Sequence, residues 1–199
     1  MKLSLLAQGL AHKARNVFLG KSAARTELLQ QLPKNADCAE IGVWKGEFSQ
    51  LILESTEPRE LHLIDPWAFR PEYPDRMYGG TAATQQADME RIYESVVECF
   101  SGKANVVIHR KDSIVALSEF PDGYLDWLYI DGDHSYESVL EDLRLAQKKV
   151  KERGIIAGDD YTWALNKCFP VQRAVHQFLK EQGQRYRLTV FGSQFMISV

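Results

Sequence analysis

The 199-residue sequence predicts a doubly wound α/β domain, a seven-stranded and mostly parallel sheet closed by a C-terminal antiparallel hairpin. Three observations predict it. Five short apolar runs between residues 38 and 157 alternate with longer stretches of helical period. The last two strand-like runs, 186–191 and 195–199, are separated only by Gly192-Ser193-Gln194, the length of a hairpin connection. The chain is also 45% hydrophobic and 11% aromatic, enough for a core and outside the range of disordered sequences.

Residues 1–34 read as an amphipathic helical segment preceding a domain of residues 35–199. Leu3, Leu6, Leu10, Ala14, Val17 and Phe18 fall at helical spacing, while Gln8 and Gly9 interrupt what would otherwise resemble a signal peptide. Six basic residues stand against Glu27 alone in this stretch, so the acid excess lies in the rest of the chain. Such a helix would dock on the domain, as a solvated cover, a substrate lid or a contact between two copies. Residues 38–41 then form a buried strand, followed by a glycine-containing turn and a helix over 47–54. A second strand, 61–64, ends at Asp65. Residues 66–80 carry Pro66, Pro71, Pro74, Gly79 and Gly80, which argue against regular structure. Trp67, Phe69, Tyr73 and Tyr78 sit in that loop and either pack down on the sheet or form a lid, which their place beside the strand ends favours. The alternation resumes with a helix (82–100), a strand (106–108), a short helix (114–119), a strand (125–130), a long helix (136–151) and a strand (154–157). Pro170 is placed to start the final helix, 171–181.

Composition excludes several classes. A net charge of -3 and a pI near 6.0, with no basic stripe, leave no electrostatic footprint for nucleic acid. No apolar run approaches the roughly 18 residues of a membrane span. Cys38, Cys99 and Cys168 form no C-x-x-C pair, so neither a disulfide framework nor a zinc finger is expected. They read as buried apolar residues of a cytoplasmic protein.

In such a sheet, ligands bind beyond the carboxyl ends of the strands, where strand order reverses. Every one of the five parallel strands ends in acid: Glu40, Asp65, Asp112, Asp131 with Asp133, and Asp159-Asp160. After the first strand, Glu40-Ile41-Gly42-Val43-Trp44-Lys45-Gly46 allows a tight turn but lacks the three-glycine fingerprint of a dinucleotide site. An acid at 40 would repel a diphosphate, which favours a cationic or zwitterionic ligand. Asp65 suits a carboxylate accepting both hydroxyls of a ribose. Asp131, Asp159 and Asp160 should end side by side. Carboxylates converging without a Lys or Arg between them favour a hard divalent cation, Mg2+ or Mn2+ (or Ca2+), the alternative being that Asp159-Asp160 caps a turn and Asp131-Gly132 forms one. His134, three residues past Asp131, becomes a candidate general base in that company. Asp133 should face solvent or cap the next helix. The other four histidines have no such context, and those at 62 and 109 read as structural.

These residues resemble class I S-adenosylmethionine-dependent methyltransferases. More narrowly, residues 130–136 (IDGDHSY), 158–161 (GDDY) and 171–179 (VQRAVHQFL) are similar to the metal-dependent macrocin O-methyltransferase group, which methylates sugar hydroxyls. That resemblance implies a Rossmann-like methyltransferase fold. It also implies a cofactor site in which Glu40 meets the methionine end and Gly42, Val43 and Gly46 line it. Asp65 would hold the ribose, and Asp112 and Ser113 would flank the adenine. Asp131, Asp159 and Asp160 would hold the metal, Asp131 also bordering the cofactor, with His134 as base toward a small-molecule hydroxyl. The bulky Val43-Trp44-Lys45 replaces the superfamily's middle glycine. Two rivals remain: a non-catalytic adenosyl-binding module, and an iron-dependent hydroxylase, which needs a 2-His-1-carboxylate set.

Overall fold

The structure is a computed structural model describing residues 20–198. The apolar spacing over residues 3–18 lies outside that range, so of the N-terminal segment only residues 20–34 enter the description. They contain helix α1 (Lys21–Leu29), which buries Ala24, Leu28 and Leu29 and packs on α2 and the last two strands.

Seven strands form one sheet: β1 (Asp37–Ile41), β2 (Glu60–Ile64), β3 (Val106–His109), β4 (Leu125–Ile130), β5 (Val150–Gly158), β6 (Arg187–Phe191) and β7 (Gln194–Ser198). Their order is β3-β2-β1-β4-β5-β7-β6. All neighbours from β3 to β5 are parallel, and β7 runs antiparallel to both β5 and β6. The antiparallel strand is therefore inserted beside β5, with β6 at the edge. Strand order reverses between β1 and β4, which opens a crevice at their carboxyl ends.

Period-two alternation feeds two cores. Leu128 and Ile130 of β4 face one side, and Trp127 and Tyr129 the other. The first side is covered by α4 (Ser113–Glu119), α5 (Tyr136–Lys149) and α6 (Pro170–Gln182); the second by α1, α2 (Glu47–Thr56) and α3 (Gln86–Cys99). Helix α6 shows the sequence logic most simply. Pro170 starts it, Val171, Ala174, Val175 and Phe178 form the buried stripe, and Gly183 ends it at φ 69°.

Most element ends shift by one or two residues from the sequence reading, Gln194 among them, which opens β7 instead of closing the hairpin connection; the departures at α3, the loop before it and β5 are larger. Helix α3 begins at Gln86 rather than 82, because Gln85 and Asp88 form a reciprocal capping box. Ahead of it, Met77–Thr81 makes a single π-helical turn inside the loop expected to be irregular. Helix α5 stops at Lys149 and β5 starts at once, four residues before the expected strand. Of the cysteines only Cys38 is buried; Cys99 and Cys168 are exposed, contrary to expectation. No helix among the described residues is long and apolar enough to cross a membrane.

Candidate active site

A cleft of about 830 Å³ crosses the carboxyl edge of the sheet at the β1–β4 crevice. Glu40, Gly42, Val43, Asp65, Asp112, Ser113, Asp131, Asp133, His134 and Asp160 all line it. Gly46 and Asp159 do not. Gly46 caps α2 from behind, where an added Cβ would meet the Phe100 ring at 2.9 Å.

The β1–α2 turn sets the floor. Gly42 has φ 86°, and its amide donates to Ile64 O at 2.9 Å. A Cβ there would stand 2.1 Å from the Asp131 carbonyl oxygen, so only glycine lets this turn press against the end of β4. Glu40 points from β1 into the α2 side, nearly inaccessible, and Ser49 Oγ donates to it. Burial pushes its carboxyl up to about 8, against the pull of that hydrogen bond. Asp65 ends β2 and accepts two backbone amides, Trp44 N at 3.0 Å and Trp67 N at 2.7 Å. Burial raises its carboxyl, and those two donors oppose the rise. The Val43 amide pulls the same way, and the carboxylate has about four lone-pair sites for these three donors.

Beyond β3, Asp112 pairs with Arg70 on the exposed rim, at 2.7 Å. Ser113 Oγ donates to Asp142 Oδ1 at 2.6 Å. Asp142 is buried on α5, and burial pushes its carboxyl up to about 7. The sequence reading missed Asp142. Its only signal was a polar residue within the apolar stripe of a predicted helix.

Asp131 and Asp159 end neighbouring strands as expected: Asp131 N donates to Ile41 O and Asp159 N to Ile130 O, at 2.7 and 3.0 Å. The expectation that no Lys or Arg lies among the acids is overturned. Arg25 Nη2 donates to both Asp131 Oδ2 and Asp159 Oδ2, and Arg25 Nε reaches the latter at 3.2 Å. Lys21 Nζ stands 2.9 Å from Asp159 Oδ2 and 3.6 Å from Asp160 Oδ2. The other Asp159 oxygen accepts Asp160 N, Ser193 Oγ and Gln194 Nε2. Burial pushes Asp159 up, but Lys21 and Arg25 outweigh it and hold its carboxyl below the usual range. Burial and the like charge of Asp159 push Asp131 the other way. With both oxygens of Asp159 filled, the set Asp131, Asp159 and Asp160 does not fit a resident Mg2+ or Mn2+. Among the described residues, Asp131, His134 and Asp160 do form a grouping of candidate ligands, with ligand atoms within 4.8 Å of one another.

His134 Nε2 faces Asp160 Oδ2 at 3.4 Å and Asp131 Oδ1 at 3.8 Å, and its ring meets Trp163 edge-on. Nδ1 is buried without a hydrogen-bond partner. Burial lowers the imidazole below its ordinary range, against Asp160, so the ring is neutral at pH 7. Asp133 neither faces solvent freely nor caps α5, since Ser135 is the cap. It accepts from Tyr78 Oη at 3.2 Å. The aromatic loop divides: Trp67 is fully buried, donating to Trp44 O, whereas Tyr73, Arg76 and Tyr78 border the cleft.

Comparison with known proteins bears on the fold and the family. A curated relative, an uncharacterized protein of Acanthamoeba polyphaga mimivirus, is 25% identical over 158 residues. The match covers 77% of this chain but 65% of the relative, so the chain spans under two thirds of that protein. Among solved structures, the O-methyltransferase NovP superposes with a TM-score of 0.62 at 21% identity, over 88% of this chain and 79% of NovP. A SAM-dependent methyltransferase from Aquifex aeolicus superposes at 0.55 with 15% identity, over 87% of each chain. These define the class by fold: the Rossmann-like methyltransferase architecture. The family model for the methyltransferase domain matches residues 39–161, more than half of the chain. The chain belongs to that methyltransferase family.

Proposed function

We propose that the chain transfers the methyl group of S-adenosylmethionine to a hydroxyl of a small molecule, of the kind that sugars and other vicinal diols carry. One observation carries the reading. A single cleft joins the carboxylate ending β2 to a partly buried imidazole, that of His134, on the other side of the β1–β4 crevice.

The cleft volume lies within the range of small-molecule sites and suits a nucleoside cofactor with an acceptor beside it. Asp65 would accept the ribose hydroxyls, Glu40 would meet the cationic amino-acid end, and Asp112 and Ser113 would border the nucleobase. When bound, S-adenosylmethionine supplies a methyl already activated by the sulfonium charge. The chain must then orient a hydroxyl in line and remove its proton. His134 can take that proton because it starts neutral, and Asp160 and Asp131 stabilise the imidazolium that results. Trp163 and Tyr78 border the same space and limit water access.

No step of this mechanism is routed through the Mg2+ or Mn2+ implied by the macrocin-type resemblance, because Arg25 and Lys21 hold Asp159 Oδ2 and Arg25 also holds Asp131 Oδ2, two of the oxygens of the expected ligand set. The hydroxylase alternative fails on ligand chemistry, since one histidine with two carboxylates is not a 2-His-1-carboxylate set. A mere adenosyl-binding module would have no use for an imidazole opening on the cleft.

The test joins calorimetry with S-adenosylhomocysteine to transfer of labelled methyl onto a panel of glycosides, catechols and simple diols. Binding together with labelling of at least one alcohol is expected. Absence of binding would end the cofactor assignment; binding with no labelled alcohol would favour the binding module.

Glu40 provides a pH signature. A cationic ligand selects the ionised carboxylate, so below pH 8 binding must first displace a proton. Affinity should therefore fall by up to about tenfold per pH unit as pH drops from 8 to 6. Glu40→Gln should flatten that profile. An unchanged slope in the variant would assign the proton to another group.

A further inference from the structure

Lys21 and Arg25 lie one turn apart on the same face of α1 and reach across to the ends of β4 and β5. The guanidinium is held on three sides: Asp131, Asp159 and the Phe48 ring, whose centroid is 4.5 Å from Cζ. It is a fixed group rather than a surface charge, because its two acids are themselves anchored by backbone and side-chain hydrogen bonds.

We infer that Arg25, assisted by Lys21, is the resident cation of this acidic edge, filling from the chain itself the position for which three aspartates would otherwise recruit a divalent ion. The charge arrangement stands without the methyltransferase reading. A divalent ion on Asp131 and Asp160 would share both carboxylates with Arg25 and Lys21, so like-charge repulsion sets the ion against the α1 cations. Charge balance favours the α1 cations. Two cations already face the three carboxylates of this edge, so it does not call for a further divalent charge. Arg25 is thus a positioning and charge-balancing residue, acting on Asp131 and Asp159.

The experiment is a Mn2+ titration of the full chain, followed by loss of the free-ion paramagnetic resonance signal, with no substrate present. Wild type should leave the signal unchanged into the millimolar range. The double variant Lys21→Gln/Arg25→Gln should bind one Mn2+ per chain at least tenfold more tightly. Adding Asp160→Asn should abolish that binding, and Arg25→Lys, which keeps the charge, should behave as wild type. Tight stoichiometric Mn2+ in wild type, or no gain in the double variant, would overturn the inference. Each variant is checked by its thermal transition. If the double variant does not fold, the half-exposed Lys21→Gln alone should still tighten Mn2+ binding several-fold, and no tightening there overturns the inference equally. S-adenosylhomocysteine binding to wild type, measured in parallel, separates failure of the cofactor reading from failure of this one.

Discussion

Replacing His134 by Ala should lower kcat by about 100- to 10,000-fold, the range spanned by a positioned general base. The affinity for S-adenosylhomocysteine should stay within about twofold, because the cofactor-facing residues end other strands. Wild type carries a second mark. Burial lowers the imidazole pKa, so His134 stays neutral, and competent as a base, below the ordinary value of 6.5. The acid limb of the kcat profile should therefore begin below that pH and be absent from the variant. The variant's stability should change little beyond the lost packing on Trp163, which a melting curve will report. An unaltered kcat and pH profile in His134→Ala would remove the base assignment and leave the fold and cleft untouched.

Gly42→Ala should be the most disruptive small substitution in the cleft. The new Cβ meets the Asp131 carbonyl oxygen at 2.1 Å, its carbon at 2.4 Å and Gly132 N at 2.7 Å, all backbone atoms that cannot rotate away. The positive φ adds a conformational cost of its own. Together these should destabilise the domain by on the order of 3 kcal/mol. In a chain of this size that lowers Tm by roughly 6–12 °C. S-adenosylhomocysteine binding should weaken as well, because relief of the clash pries the β1–α2 turn from the end of β4. Gly123→Ala is the control: it has φ 66° but nothing within 4 Å of the added carbon, so it should cost only about 1 kcal/mol. Equal melting temperatures for the two variants would mean that the turn yields without strain.

Much of this protein was legible in its sequence because the signals involved are local. Short apolar runs such as 125–130, Pro170 before α6 and the glycine-led connection at 192–193 each state a backbone preference within a few residues. A single topological rule then lines up Glu40, Asp65, Asp112, Asp131 and Asp159-Asp160 on one edge. What could not be read locally was which charges meet. Arg25 lies 106 residues from Asp131 and 134 from Asp159, and the basic excess of residues 1–34 did not say where those charges would land. Asp159 and Asp160 are adjacent in sequence, yet one turns inward to Ser193 and Gln194 while the other faces the cleft with His134. Asp142 on α5, paired with Ser113, likewise became a cleft residue only once helix and loop were packed. The sequence alone determined the strands, the order of acids along the chain and the glycine turn. Only the tertiary structure decided which acids are neutralised by α1 and which remain open to a ligand, because pairing of buried charges depends on distances that no residue's neighbours in sequence control.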